Sequence, residues 1–134
     1  MRRPSKPIMK ELGISIVYLF GSSVEGTVTP SSDIDVGIVF KKDKNTTDYG
    51  ILYNEIYLEF SRIFKPSFKR GLDIVFLQQA PLSLQYSAIQ RGQILYEEDP
   101  AQRVDYEERV INLYMDFKPV LEYFDVISSM RYTS

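Results

Sequence analysis

Hydrophobic and polar positions divide this chain into short elements with sharp breaks. Residues 14–20, ISIVYLF, are almost continuously apolar and rich in β-branched and aromatic side chains. That pattern predicts a central strand covered on both faces. Residues 33–40, DIDVGIVF, begin in strict alternation: Asp33, Asp35, Gly37 and Val39 share one face, and Ile34, Val36, Ile38 and Phe40 the other. A third strand, LDIVFL at 72–77, sets Asp73, Val75 and Leu77 against Leu72, Ile74 and Phe76. QILYEE at 93–98 reads as a short edge strand.

Between the strands the period changes from two to about 3.6. PIMKEL at 7–12 predicts a short helix stopped by Gly13. In YGILYNEIYLEFSRIF at 49–64, Leu52, Ile56, Phe60 and Ile63 recur at helical steps on one face. Pro81 opens a helix, LSLQYSAIQR, closed by Gly92. Asp99 and Pro100 have the chemistry of an N-cap and first helical residue, and a last helix is predicted to about residue 125, with Pro119 expected to kink or interrupt it. SSVEGT after the first strand predicts one or two helical turns, Thr29-Pro30-Ser31-Ser32 a turn, and KKDKNTTD at 41–48 and KPSFKRG at 65–71 polar loops. The expected architecture is α/β (α+β), a mixed β-sheet flanked by helices in one domain over 1–134, with a core at about 14–98 and a helical segment at about 99–127.

Size and composition narrow the chemistry. At 134 residues the chain suits one core. It holds no cysteine and no histidine, which excludes disulfides, thiol nucleophiles, the usual zinc sites and every Ser-His or Cys-His triad. Proton transfer near neutral pH then falls to a carboxylate, lysine, tyrosine or water. A net charge of −2 argues against broad nucleic-acid binding. The start MRRPSKP reads as a solvated terminus with no apolar export signal behind it, and no apolar run is long enough to span a bilayer, so a cytoplasmic location is expected.

The stretch GSSVEGTVTPSSDID at 21–35 joins two halves of one site. Asp33 and Asp35, two apart on a strand, point the same way, and Asp73 reaches the same space if its strand is a neighbour. Crowded carboxylates lose hydration and repel, which a divalent cation reverses. Oxygen-only ligands favour Mg²⁺ or Mn²⁺, which usually join carboxylates to substrate phosphates. Asp73 is the best placed to take a hydroxyl proton. Gly37, next on the carboxylate face, is expected to leave room beside them. Gly21 lets backbone approach a phosphate, and Ser22 can donate a hydrogen bond to one.

GSSVEGTVTPSSDIDV followed by LDIVFL resembles the nucleotidyltransferase superfamily that includes DNA polymerase beta, whose signature is Gly-Ser, a spacer, Asp-x-Asp and a later Asp on a strand. Its shortness, the segment PLSLQYSAIQRGQILYEEDP and an aromatic final helix are similar to the minimal nucleotidyltransferases (MNT), over roughly residues 14–125. The resemblance implies a polymerase-beta-like fold, two Mg²⁺ ions on Asp33, Asp35 and Asp73, and ATP held at Gly21 and Ser22. It also implies transfer of AMP to a hydroxyl, with a HEPN-type toxin as partner and its tyrosine as acceptor. Glu25 stands where relatives often carry arginine, and Lys41, Lys42, Lys69 or Arg70 are candidates to replace it. Two other functions fit the same resemblance: an antitoxin that neutralises by binding alone, and a nucleotidyltransferase acting on a small molecule such as an aminoglycoside.

The last helix carries a stripe, Tyr106, Val110, Leu113, Phe117, Val120, Leu121 and Phe124, widened by Ile111, Tyr114, Met115 and Tyr123. It serves either the protein's own core or an interface with a second copy or a partner.

Overall fold

The computed structural model describes residues 3–21, 33–42, 48–66 and 71–132. The chain order is α1 (Lys6–Glu11), β1 (Ile14–Phe20), β2 (Ile34–Phe40), α2 (Tyr49–Phe64), β3 (Leu72–Phe76), a single 3₁₀ turn (Leu77–Gln79), α3 (Leu82–Arg91), β4 (Gln93–Glu97) and α4 (Pro100–Tyr132). The strands form one mixed sheet in the order β3-β2-β1-β4. β1 pairs antiparallel with β2 and β4, and β2 pairs parallel with β3 through α2. Among the described residues the predicted strands and helices are present, with shifts at their ends. Leu77 leaves the strand to open the 3₁₀ turn.

Strand alternation divides the core in two. Ile34, Val36, Ile38, Val17, Leu19 and Ile74 pack with Met9 of α1 and with Leu52, Ile56, Phe60 and Ile63 of α2. On the other face Ile16, Tyr18, Phe20, Val39 and Leu77 meet Ala88 of α3 and Tyr106 and Val110 of α4. All seven residues of β1 are buried, because helices cover both its faces. Each large apolar side chain so enclosed contributes about 1.5–3 kcal/mol.

Local chemistry fixes the ends of the elements. Gly13 turns the chain at φ +74. Asp48 caps α2 by accepting from the Ile51 amide at 3.1 Å, and Asp99 caps α4 by accepting from the Ala101 amide at 2.9 Å. Gly92 follows α3 with extended backbone, and a side chain there would meet Ala88 O at 2.2 Å. Close approach therefore requires glycine at this position.

Two expectations change. α4 runs through Pro119 as one helix of 33 residues, past the predicted end at 125. Its stripe also divides: Tyr106 and Val110 are buried, whereas Leu113, Met115, Phe117, Val120, Tyr123 and Phe124 are exposed. Tyr114 stacks on Tyr86 of α3, with ring centroids 3.9 Å apart, near the point where the helix leaves the domain. The helical turns and the turn predicted within 22–32 lie outside the described residues. Among the described residues no helix is long and apolar enough to cross a membrane.

Candidate active site

β1 ends at Phe20, and Gly21 then turns the chain at φ +82, a left-handed conformation that disfavours any side chain. Phe20 is the antiparallel partner of Asp35, and Asp35 the parallel partner of Asp73. Three adjacent strands thus bring a glycine turn and two carboxylates to one end of the sheet. The approach is close: a Cβ on Gly21 would lie 2.1 Å from Asp35 Oδ2. Only glycine leaves that carboxylate its place.

Asp35 and Asp73 line a cavity of about 320 Å³ with Phe20, Gly21, Val75, Leu84, Ser87 and Arg91. Asp33 stands just ahead of β2 and is not among these lining residues. Its Oδ1 accepts from the Gly71 amide at 3.1 Å, and the Ile34 amide donates back to Gly71 O at 2.9 Å. Among the described residues no three acidic side chains are gathered around one point. The arrangement is a cross-strand pair with a third carboxylate beside it. Asp35 is half-buried, and burial, then the charges of Asp73 and Asp33, hold its pKa above the usual carboxylate range.

Gly37 does not leave the room expected of it. A Cβ there would meet Leu77 Cδ1 at 2.8 Å and Phe20 Cε1 at 3.1 Å, so the protein's own core fills that space. Lys41 and Lys42 are also corrected. They line a different cavity, at the opposite end of the sheet, and pair with Glu98 and Asp105. Ser22, Glu25, Lys69 and Arg70 lie outside the described residues.

α3 supplies residues that motif reasoning missed. Leu84, Ser87 and Arg91 follow at steps of three and four, one helix face, and all three line the carboxylate cavity. The helical spacing was visible in the sequence. Which strand end that face would cover was not, because it depends on how β4 pairs with β1.

The family model described as polymerase beta, nucleotidyltransferase matches residues 5–101. The chain belongs to that nucleotidyltransferase family. The nucleotidyltransferase is similar in fold to a toxin–antitoxin crystal structure with AMP-PNP, at 20% identity and TM-score 0.68, covering 93% of this chain and 94% of the other. It is similar also to the MntA–HepT toxin–antitoxin structure, at 18% identity and TM-score 0.62, covering 93% and 92%. A third match is a complex of tri-AMPylated Shewanella oneidensis HEPN toxin with MNT antitoxin, at 18% identity and TM-score 0.62, covering 93% and 91%. No curated protein matches the chain at a significant level. At such identities the matches describe the fold: a mixed four-stranded sheet with helices and a C-terminal helix.

Proposed function

We propose that this nucleotidyltransferase is an adenylyltransferase that moves AMP from ATP to a tyrosine hydroxyl of a HEPN-type toxin and so acts as its antitoxin. The observation that carries the reading is the Asp35–Asp73 pair, set across two strands beside a glycine turn in one cavity. The acceptor oxygen forms a bond to the α-phosphorus, the bond from that phosphorus to the bridging oxygen breaks, and pyrophosphate leaves. Asp73, the more exposed of the pair, takes the acceptor proton. Gly21 lets the phosphates come close to the backbone, and Ser22 donates to a phosphate oxygen.

The residues fit Mg²⁺. All donors are carboxylate oxygens, and burial with the like charges of Asp73 and Asp33 raises the pKa of Asp35, the condition a divalent cation relieves. Asp35 and Asp73 would hold it, with Asp33 as the third carboxylate beside them. When bound, it supplies positive charge to the phosphate oxygens as negative charge builds on them.

Two of the similar structures support the choice of nucleotide and partner, one containing AMP-PNP and one an AMPylated HEPN toxin with MNT antitoxin. The exposed run Leu113, Phe117, Val120 and Phe124 supports docking, since it continues the buried Tyr106–Val110 stripe beyond the domain at steps of three and four. The same run favours the second reading, neutralisation by binding alone.

One experiment separates the two. The purified chain is incubated with a HEPN toxin, labelled ATP and Mg²⁺, and both label transfer and toxin activity are followed. Transfer by wild type, and its loss in Asp35→Asn together with loss of neutralisation, is expected. Neutralisation that persists without ATP and in an Asp33→Asn, Asp35→Asn double variant would establish the binding-only function instead.

A further inference from the structure

The carboxylate cavity contains a cation for which the nucleotide-binding motif makes no provision. β1 and β4 pair antiparallel with Tyr18 opposite Ile94 and Leu19 opposite Gln93. Arg91 and Gly92 directly precede Gln93, so the end of α3 comes beside the end of β1. The packing agrees: a Cβ on Gly92 would lie 3.3 Å from Leu19 O, so the end of α3 rests on the last residues of β1. Gly21 and Arg91 both line the cavity.

We propose that Arg91 is the residue that grips the β- and γ-phosphates of the bound nucleotide, with the Ser87 hydroxyl one helical turn earlier as a second donor. This rests on the nucleotidyl-transfer reading above. Arg91 is the one cationic side chain among the described lining residues, against the two carboxylates Asp35 and Asp73. Arg91, from the end of α3, and the carboxylates of β2 and β3 give the cavity a positive and a negative side. A triphosphate with its α-phosphorus at the carboxylates would extend its far end toward the positive one. The planar fork of arginine suits two phosphate oxygens at once, and it meets the charge that gathers on departing pyrophosphate. Leu84, with Phe20 and Val75, forms an apolar wall along the same cavity.

Arg91 is exposed, so its replacement should not unfold the chain. Binding of ATP, ADP and AMP in the presence of Mg²⁺ is measured by titration calorimetry for wild type, Arg91→Ala, Arg91→Lys and Ser87→Ala, with thermal unfolding as the control for folding. Arg91→Ala is expected to weaken ATP about tenfold or more, the loss of a charge-assisted contact, while AMP stays within about twofold. Arg91→Lys should recover part of the loss, and Ser87→Ala should show a smaller loss of the same kind. Equal ATP binding by wild type and Arg91→Ala overturns the assignment, as does an equal loss for AMP and ATP, the mark of a merely structural role. Failure of wild type itself to bind ATP overturns the nucleotidyl-transfer reading, and this one with it.

Discussion

The two ends of the sheet are built from similar materials and come out electrostatically opposite. At one end Ser15, Lys41, Lys42, Glu98, Gln102, Asp105 and Arg109 surround a cavity of about 570 Å³. There the charges are largely matched. Lys41 Nζ lies 2.8 Å from Glu98 Oε1, Lys42 Nζ lies 3.2 Å from Asp105 Oδ2, and Ser15 Oγ donates to Gln102 Oε1 at 3.1 Å. The Gln78 side chain bonds both the amide and the carbonyl of Phe40 and so prolongs the sheet. At the other end the cavity is smaller, about 320 Å³, and two carboxylates face each other across neighbouring strands. The larger cavity holds paired charges with little left to do. The smaller one sets carboxylates on neighbouring strands where burial and like charge raise the pKa of Asp35, and that is the better marker of chemistry. Volume alone points to the wrong end.

The strongest way to break this contrast is to neutralise one residue at each end. Asp73→Asn removes the proposed proton acceptor, and transfer should fall about 10²–10⁴-fold. Lys41→Met, at the matched end, should leave transfer within about twofold and cost about 1 kcal/mol of stability, since it strands a half-buried Glu98. Initial rates of label transfer and urea unfolding report both. If Lys41→Met lowered transfer as far as Asp73→Asn, the division between a chemical end and a structural end would be gone.

A smaller effect is expected from changing the backbone turn. Gly21→Ala places a Cβ where Asp35 Oδ2 stands, on a residue at φ +82. The left-handed backbone alone costs about 1–2 kcal/mol. The displaced carboxylate should lower transfer about 10- to 100-fold, because small misplacements at a reacting centre are costly. The matched change Gly50→Ala, on the far helix α2, meets Asp48 Oδ1 at 3.3 Å and carries no such consequence for transfer. Equal transfer by the two variants would show that the turn does not hold Asp35.

The contrast also marks how far the sequence could be read. Periodicity was sufficient for the described strands and helices, because alternation and helical spacing are local, and Asp48 and Asp99 cap the two longest helices. Asp35 and Asp73 were visible as carboxylates on apolar strands, but their pairing required the parallel register of β2 with β3. Gly37 was misjudged for the same reason. Its missing side chain looks like space until Leu77 and Phe20, distant in sequence, are brought against it. Lys41 and Lys42 stood only as candidates to replace an arginine, because loop composition says nothing about which end of a strand a loop leaves. Arg91 was missed because α3 covers the site through β4, an edge strand whose partner the pattern does not name. In α4 the stripe was legible, but its division between core and surface depends on where the sheet ends.

The smallest expected effect is a pH dependence, and it reports the raised Asp35 pKa most directly. Burial and the charges of Asp73 and Asp33 raise the Asp35 pKa in the folded chain above that of an unfolded aspartate, about 3.9. Below the unfolded value both states carry the proton and Asp35 costs nothing. As pH rises from there toward the raised folded value, the unfolded state releases the proton first and stability falls. Above the folded value the cost is complete and constant. The metal-free Asp35→Asn variant should therefore unfold at a higher temperature than wild type at pH 7, with the gain shrinking as pH falls below the raised folded value and gone below about 4. Glu98→Gln at the matched end should lose stability at pH 7, since it weakens the contact with Lys41. Thermal unfolding in a chelator across pH 3–8 reads both variants. An Asp35→Asn chain no more stable than wild type at pH 7 would mean that the carboxylate end is as well compensated as the other, and the electrostatic ground for a cation and a phosphate there would be lost.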